Sequence, residues 1–238
     1  MTELLGYLSL YGENGWGGQL LKGLSITVSL FLATLPIGLV LGFLIALAKR
    51  GKNPFLRIFA NAYTTVFRGV PELLTLFIIF YGGQMALQWF VELFSSEITV
   101  DLNAFLAGMI ALGLVFSAYA SETFLSALNS VSTGQSEAAR ALGLGRIRTM
   151  QKVVFPQLLR HALPGLSNLA LILQKETALV SILALDELLR QTQIAVGGTK
   201  EPIFFFSIAC ALYVGLAFLT SLLIKQLENW TGRGQVRA

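Results

Sequence analysis

Charge is scarce in this chain. Only 13% of its 238 residues are Asp, Glu, Lys or Arg, against about 25% in an ordinary soluble domain. A disordered chain carries more charge and less apolar content, and a nucleic-acid-binding domain presents a basic surface. Both classes are excluded, and a water-soluble enzyme fits poorly. Cysteine is nearly absent: Cys210 is the single thiol, so no intramolecular disulfide is possible, and its apolar neighbours predict a packing residue. Histidine is also single, His161. No metal-ligand spacing and no nucleophile–base set stands out. A Gly-x-x-x-x-Gly-Lys-Ser/Thr phosphate loop is missing too, so ATP cannot be this chain's own cofactor and no other is expected in it.

What remains is apolar. Hydrophobic residues make up 55% of the chain, Phe occurs 17 times, and the mean hydropathy is +0.70. The bilayer is the main solvent. A spanning helix needs about 20 apolar residues. Residues 23–48, 73–91, 102–121 and 202–224 approach or exceed that length without one charge, and 162–185 is interrupted only by Lys175 and Glu176. The expected fold is all-α, a single polytopic bundle of five transmembrane helices.

Orientation follows from Lys and Arg in short loops. Lys49, Arg50, Lys52 and Arg57 follow the first span; Arg140, Arg146, Arg148, Lys152 and Arg160 follow the third; Lys225, Arg233 and Arg237 follow the fifth. The alternate side is poor in basic residues: 92–101 holds only acids, and Arg190 and Lys200 are offset by Asp186, Glu187 and Glu201. The N-terminus is therefore expected outside and the C-terminus in the cytoplasm. Met1 to Gln19 has no basic n-region, so no signal peptide is read there. The net charge of +4 is explained by cytoplasmic loops, not by nucleic acid.

The longest polar connection centres on residues 135–156. Ser136 is placed to cap a short helix from Glu137. Ala138, Ala139, Ala141 and Leu142 give it a small apolar face, and Gly143 fits a left-handed terminus. A second short helix is expected to reach Val153, with Pro156 opening the next span. Such a helix suits docking into a groove on a partner; a plain connector lying on the membrane surface fits the same residues.

The register of Glu137, Ala138, Ala139, Gly143, Val153, Phe155 and Pro156 resembles the cytoplasmic signature loop of binding-protein-dependent ABC importer permeases. Val153 and Phe155 stand where the pattern has Ile and Leu. Residues 63–72 (Tyr-Thr-Thr-Val-Phe-Arg-Gly-Val-Pro-Glu), 118–124 (Ala-Tyr-Ala-Ser-Glu-Thr-Phe), 162–165 (Ala-Leu-Pro-Gly) and 175–181 (Lys-Glu-Thr-Ala-Leu-Val-Ser) extend the likeness to polar amino acid permeases. Within these the chain resembles the Q-type subunit of the histidine/lysine/arginine/ornithine and octopine/nopaline transporters. Leu125 and Ser126 stand where the family usually has Arg-Gly, and Ser132 and Thr133 precede Gly134 and Gln135 where Pro is frequent.

The resemblance implies a type I importer permease fold in the bacterial inner membrane. It divides the chain into an external segment 1–19, a membrane domain 20–226 with coupling loop 130–156, and a cytoplasmic tail 227–238. It implies that Glu137, Ala138, Ala139 and Gly143 couple the membrane helices to an ATPase. The implied partners are two copies of that ATPase, which uses ATP and Mg, a second related permease, and an external solute-binding protein. A neutral or acidic polar amino acid such as glutamine or glutamate is the alternative cargo. A stand-alone secondary transporter lacks support, because no inverted repeat is visible.

The charges inside the spans are the candidate path. Arg68 and Glu72 are four residues apart, with Gly69 and Pro71 expected to break the helix between them. Arg68 paired with Glu122 or Glu72 fits a structural ion pair or a gate; the same groups fit a polar wall of the path. Glu176, with Thr177 and Ser181, offers acceptors to a cationic ligand; it fits equally a pair with Lys175 or a contact to a partner subunit. Pro164 and Gly165 could hinge that helix. Tyr81 and Gln84 are weaker candidates for the path. Trp89 and Trp230 read as interface anchors, Trp16 as part of an external amphipathic segment, and His161 as loop-facing. Three acids (Glu72, Glu122, Glu176) against two bases (Arg68, Lys175) mildly favour a cationic cargo.

Overall fold

The computed structural model of the chain describes Tyr7, Ser9, and residues 15–93 and 101–232, without the side chains of 230–232. Most of the expected external segment, the acidic stretch 94–100, the Trp230 side chain and the tail from 233 lie outside the described residues. Eight helical segments follow in order: α1 Gly17–Arg50, α2 Pro54–Gly69, α3 Glu72–Glu92, α4 Ala104–Ser130, α5 Thr133–Ala141, α6 Arg146–Leu183, α7 Leu188–Thr199 and α8 Pro202–Gly232. No strand occurs among the described residues. Five of them, α1, α3, α4, α6 and α8, are long and apolar enough to cross a membrane.

Each extends past the apolar stretch that announced it at one end or both, because caps and not charges end a helix. Lys22 and Lys49 lie inside α1, and Glu122 lies two turns before the end of α4. Asn103 starts α4 by accepting from the N–H groups of Phe105 and Leu106. Asn53, followed by Pro54 at the first helical position, starts α2 in the same way. α7 falls where the sequence reading placed only a connection, and α2 carries the helix expected around Arg68 back to Pro54. The chain then breaks after Gly69: Val70 and Pro71 are extended, as expected from the glycine and proline.

The core is the seam between α1 and α4. Gly42 of α1 lies so close to α4 that an added Cβ would stand 2.9 Å from the Ala120 methyl and 3.0 Å from the Ser117 carbonyl oxygen. Small residues permit such approach where hydrocarbon surrounds the helices on both sides. Leu30, Leu112, Phe116, Leu128, Leu158 and Leu173 fill the remaining space among α1, α4 and α6. Thr34 is buried there harmlessly, because its hydroxyl donates to the Leu30 carbonyl 2.7 Å away.

α6 is one long helix with two irregularities, a π turn at Met150–Val154 and a 3-10 turn at Thr177–Leu183. Pro156 stands in the first turn of the regular α-helical stretch Phe155–Glu176, as expected, but that stretch continues the helix from Arg146 without a break. Pro164 and Gly165 do not interrupt it either. Gly165 is a packing position: a Cβ there would stand 2.7 Å from the Thr123 methyl. Trp16 packs edge-on against Phe205, ring centroids 6.5 Å apart, so it belongs to a small second core with Leu20, Leu188 and Ala195. Cys210 is exposed on α8 and is not the packing residue expected, although its neighbour Ala209 and Phe205 are buried.

That second core holds an acid. Glu187 is fully buried and caps α7, accepting from the N–H of Arg190 at 2.8 Å, from Tyr213 at 3.0 Å and from Thr27 at 3.2 Å. It ties α1, α7 and α8 together. Burial pushes its carboxyl above the ordinary 4.5, against the pull of the Leu189 and Arg190 N–H groups, Tyr213 and Thr27. Above pH 4.5 the folded chain therefore keeps a proton that the unfolded chain has lost. The stability tied to this proton is complete below the ordinary value and is lost as pH rises through the raised one. Each pH unit of displacement is worth about 1.4 kcal/mol. Glu187→Gln removes the titration, so the melting temperature of the parent should fall relative to the variant as pH rises above that of ordinary glutamate. Parallel pH profiles of the two would contradict this.

Candidate functional site

The polar connection between α4 and α6 folds as a compact unit. α5 begins at Thr133, one turn earlier than Ser136 predicted; Ser132 precedes it without a side-chain cap, and Ser136 sits within the helix. Its end is as expected. Gly143 has φ +82, its N–H donates to the Arg140 carbonyl at 2.9 Å, and the Leu144 N–H reaches the Ala139 carbonyl at 3.0 Å. This paired closure needs a left-handed residue after the C-cap, which glycine adopts without strain. Ala139 is buried and seats α5 against the π turn of α6. Glu137 and Ala138 are exposed. Two large apolar side chains beside them, Leu142 at 83% and Ile147 at 74%, face outward. An exposed apolar tip on a tightly closed helix has the form that docking into a groove requires.

Inside the bundle, Glu72 at the start of α3 and Glu176 of α6 line one cavity of about 190 Å³, with Phe116, Tyr119, Leu169 and Ile172. Thr177 and Ser181 are not on its wall. The 3-10 turn that starts at Thr177 turns both inward: each is buried, and the Thr177 hydroxyl donates to the Gln174 carbonyl at 2.7 Å. Lys175 is exposed and forms no ion pair among the described residues. Tyr81 is exposed beside Phe77 and Phe80. The Gln84 side chain accepts from the Leu102 N–H at 2.6 Å, which gives it a structural use.

One turn along α4 from this cavity lies a charge cluster. Glu122 accepts from Lys49 of α1 and lies 3.3 Å from Arg68 of α2. The Lys49 ammonium also donates to Thr64 at 2.6 Å. Of the two pairings considered for Arg68, the one with Glu122 forms. Lys49 and Thr64 were missed, because a lysine beside a basic loop reads as topology. The signal was its place at the end of an uncharged run, facing a span that carries an acid. Below the cluster, Glu122, Thr123, Ser126, Ser130 and His161 line an open polar recess between α4 and α6. Ser126, one of the departures from the usual Arg-Gly, stands on this recess.

Residues 38–233 match the family of binding-protein-dependent transport system inner membrane components. The chain belongs to this family. It is 37% identical over 232 residues to the octopine transport system permease protein OccQ of Rhizobium meliloti, covering 97% of this chain and 98% of that one. It is 37% identical over 225 residues to the histidine/lysine/arginine/ornithine transport system permease protein HisQ of Salmonella typhimurium, covering 94% and 98%. Among solved structures, the crystal structure of an amino acid ABC transporter with histidines superposes with a TM-score of 0.76 at 31% identity, covering 90% of this chain and 94% of that one. The protein is a multi-pass inner membrane permease subunit of an ABC importer. In such systems hydrolysis of ATP is carried by a separate subunit, and a solute-binding protein is a further partner.

Proposed function

We propose that this permease moves basic amino acids, namely histidine, lysine, arginine, ornithine or arginine-derived opines, inward by alternating access. One observation carries the reading: the carboxylates of Glu72 and Glu176 share a cavity within the spans, where an acid without purpose is costly. The names of the similar octopine and histidine/lysine/arginine/ornithine permeases support it. Glu122, whose carboxylate is already shared by two bases, acts at the inner mouth and not as a cargo ligand. The N-terminus faces outward and the C-terminus lies in the cytoplasm. Residues 1–19 are external, 20–226 form the transporting domain, 130–156 are the coupling loop and 227–238 the tail. Glu137, Ala138 and Gly143 present the loop to the ATPase, which binds ATP and Mg, while Ala139 holds it in place. A second, related permease supplies the other half of the path, with two copies of the ATPase and an external solute-binding protein.

Replacing Glu176 by glutamine should lower arginine uptake by roughly tenfold, the worth of a charge-assisted hydrogen bond in a partly dry site. Uptake of a neutral amino acid by the same assembly should change less than about threefold. Uptake assays in proteoliposomes with the solute-binding protein present measure both. Equal losses for both substrates would remove the assignment of a cationic cargo.

A further inference from the structure

We infer that Arg68 reads the carboxylate of an amino acid held in the Glu72–Glu176 cavity, giving that site a preference for zwitterions over simple cations. The inference rests on the proposed use of that cavity as a substrate site.

Arg68 ends α2, and the chain beyond it is extended through Val70 and Pro71 before α3 starts at Glu72. Arg68 therefore sits at a helix break and does not itself line the cavity. Its carbon Cζ lies 5.5 Å from the centroid of the Tyr119 ring, and the same ring lines the cavity. The Tyr119 ring is the element they share: the guanidinium lies over it, and it lines the cavity that holds the two acids. Over that ring the guanidinium keeps N–H donors for other partners.

The charge balance also points inward. Lys49 and Arg68 both approach the same oxygen of Glu122. The Lys49 side chain is 5% exposed, whereas that of Arg68 is 44% exposed. Lys49 is the committed partner, and it holds Thr64 as well. Arg68 is a surplus cation on a carboxylate that is already neutralised. When it turns to another anion, Glu122 keeps Lys49 and no buried charge is orphaned.

The anion at hand is the α-carboxylate of the cargo. Guanidinium binds carboxylate through two parallel N–H donors. An amino acid lying along the Tyr119 ring would place its cationic groups toward Glu72 and Glu176 and its carboxylate toward Arg68. Neutral amines and decarboxylated cations satisfy only the acidic end. Arg68 is thus a specificity residue, distinct from the acids that select positive charge.

The test uses the full transporter complex in lipid nanodiscs, without solute-binding protein, and two probes: arginine and its decarboxylated analogue agmatine. The parent complex should bind arginine roughly tenfold to a hundredfold more tightly than agmatine. In Arg68→Gln the arginine affinity should fall until the two differ by less than about threefold, while agmatine binding stays near its parental value. Arg68→Lys, which keeps charge but loses the paired donors, should lie between the two. A merely structural Arg68 would weaken both probes together or neither, and either result overturns the inference. If the parent binds arginine but Glu176→Gln binds it equally well, the cavity itself is misassigned and the inference falls with it. Retained arginine selectivity in Arg68→Gln, with Glu176→Gln impaired, sinks the inference alone.

Discussion

Replacing Gly143 by valine is expected to cut ATP-driven uptake by about tenfold while leaving the membrane bundle folded. Gly143 has φ +82, and no atom lies within 4 Å of the position a Cβ would take. The cost is therefore one of backbone conformation and not of crowding. A side chain in the left-handed region costs roughly 1–2 kcal/mol, and a β-branched one sits at the upper end or beyond. That is a factor of about 5 to 30 in the population of the closed loop. Loss of the closure releases the Arg140 and Ala139 carbonyls and moves Leu142 and Ile147, the apolar tip. Hydrolysis by the associated ATPase should lose its dependence on substrate-loaded binding protein. Gly143→Asn is the control, because asparagine tolerates left-handed geometry; it should retain most of the uptake. Uptake and hydrolysis assayed together decide the matter. If valine and asparagine variants behave alike, the shape of the loop is not what couples the subunits.

The second large effect belongs to Glu122, and it is asymmetric. Glu122→Gln leaves the Lys49 ammonium buried with Thr64 as its remaining partner. Removing one partner of a buried pair costs about 3–5 kcal/mol. Glu122 is 36% exposed, so solvent screens part of this, and about 2 kcal/mol is the better expectation. For a chain of this size that lowers the melting temperature by roughly 4–8 °C. Lys49→Gln should cost less, about 1 kcal/mol, because Glu122 keeps Arg68 and some solvent. The double replacement should recover most of the loss caused by Glu122→Gln, since no charge is then stranded. Thermal melts of the three variants form a double-mutant cycle. Additive losses would show that Lys49 and Glu122 do not depend on each other.

Much of the architecture was readable because the bilayer imposes one strong rule. Long uncharged stretches have few homes other than a spanning helix, so the five spans were visible. Their ends were not, because Lys22, Lys49 and Glu122 sit inside helices that asparagine caps and glycine breaks define. α2 was legible only at its end, where Arg68 precedes the expected break; its start was hidden because Arg57 and the basic residues before it read as a cytoplasmic loop. Gly143 was legible, since one residue type satisfies one geometry. The start of α5 was not, because Ser132 and Ser136 are both plausible caps and only three-dimensional context chooses.

The site divides in the same way. Arg68, Glu72, Glu122 and Glu176 were found as intramembrane charges, and three-dimensional packing sorted them into a cavity and a cluster. Thr177 and Ser181 were drawn in by their nearness to Glu176 on an assumed α-helix. The tightening to a 3-10 turn changes the angle between neighbours and carries both into the core. Lys49 and Glu187 were counted as loop charges. Burial is a property of packing partners distant in sequence, Glu122 for one and Thr27 for the other, and no local pattern encodes it.

The most direct test of the whole account places a single cysteine at Leu142, 83% exposed on the loop, with Cys210 replaced by serine. In membranes carrying the complete importer, this thiol should cross-link to the ATPase subunit, and cross-linking should block uptake. It should also resist membrane-impermeant maleimide applied outside intact cells. Labelling from outside, or uptake that continues with nothing cross-linked to the loop, would contradict the account.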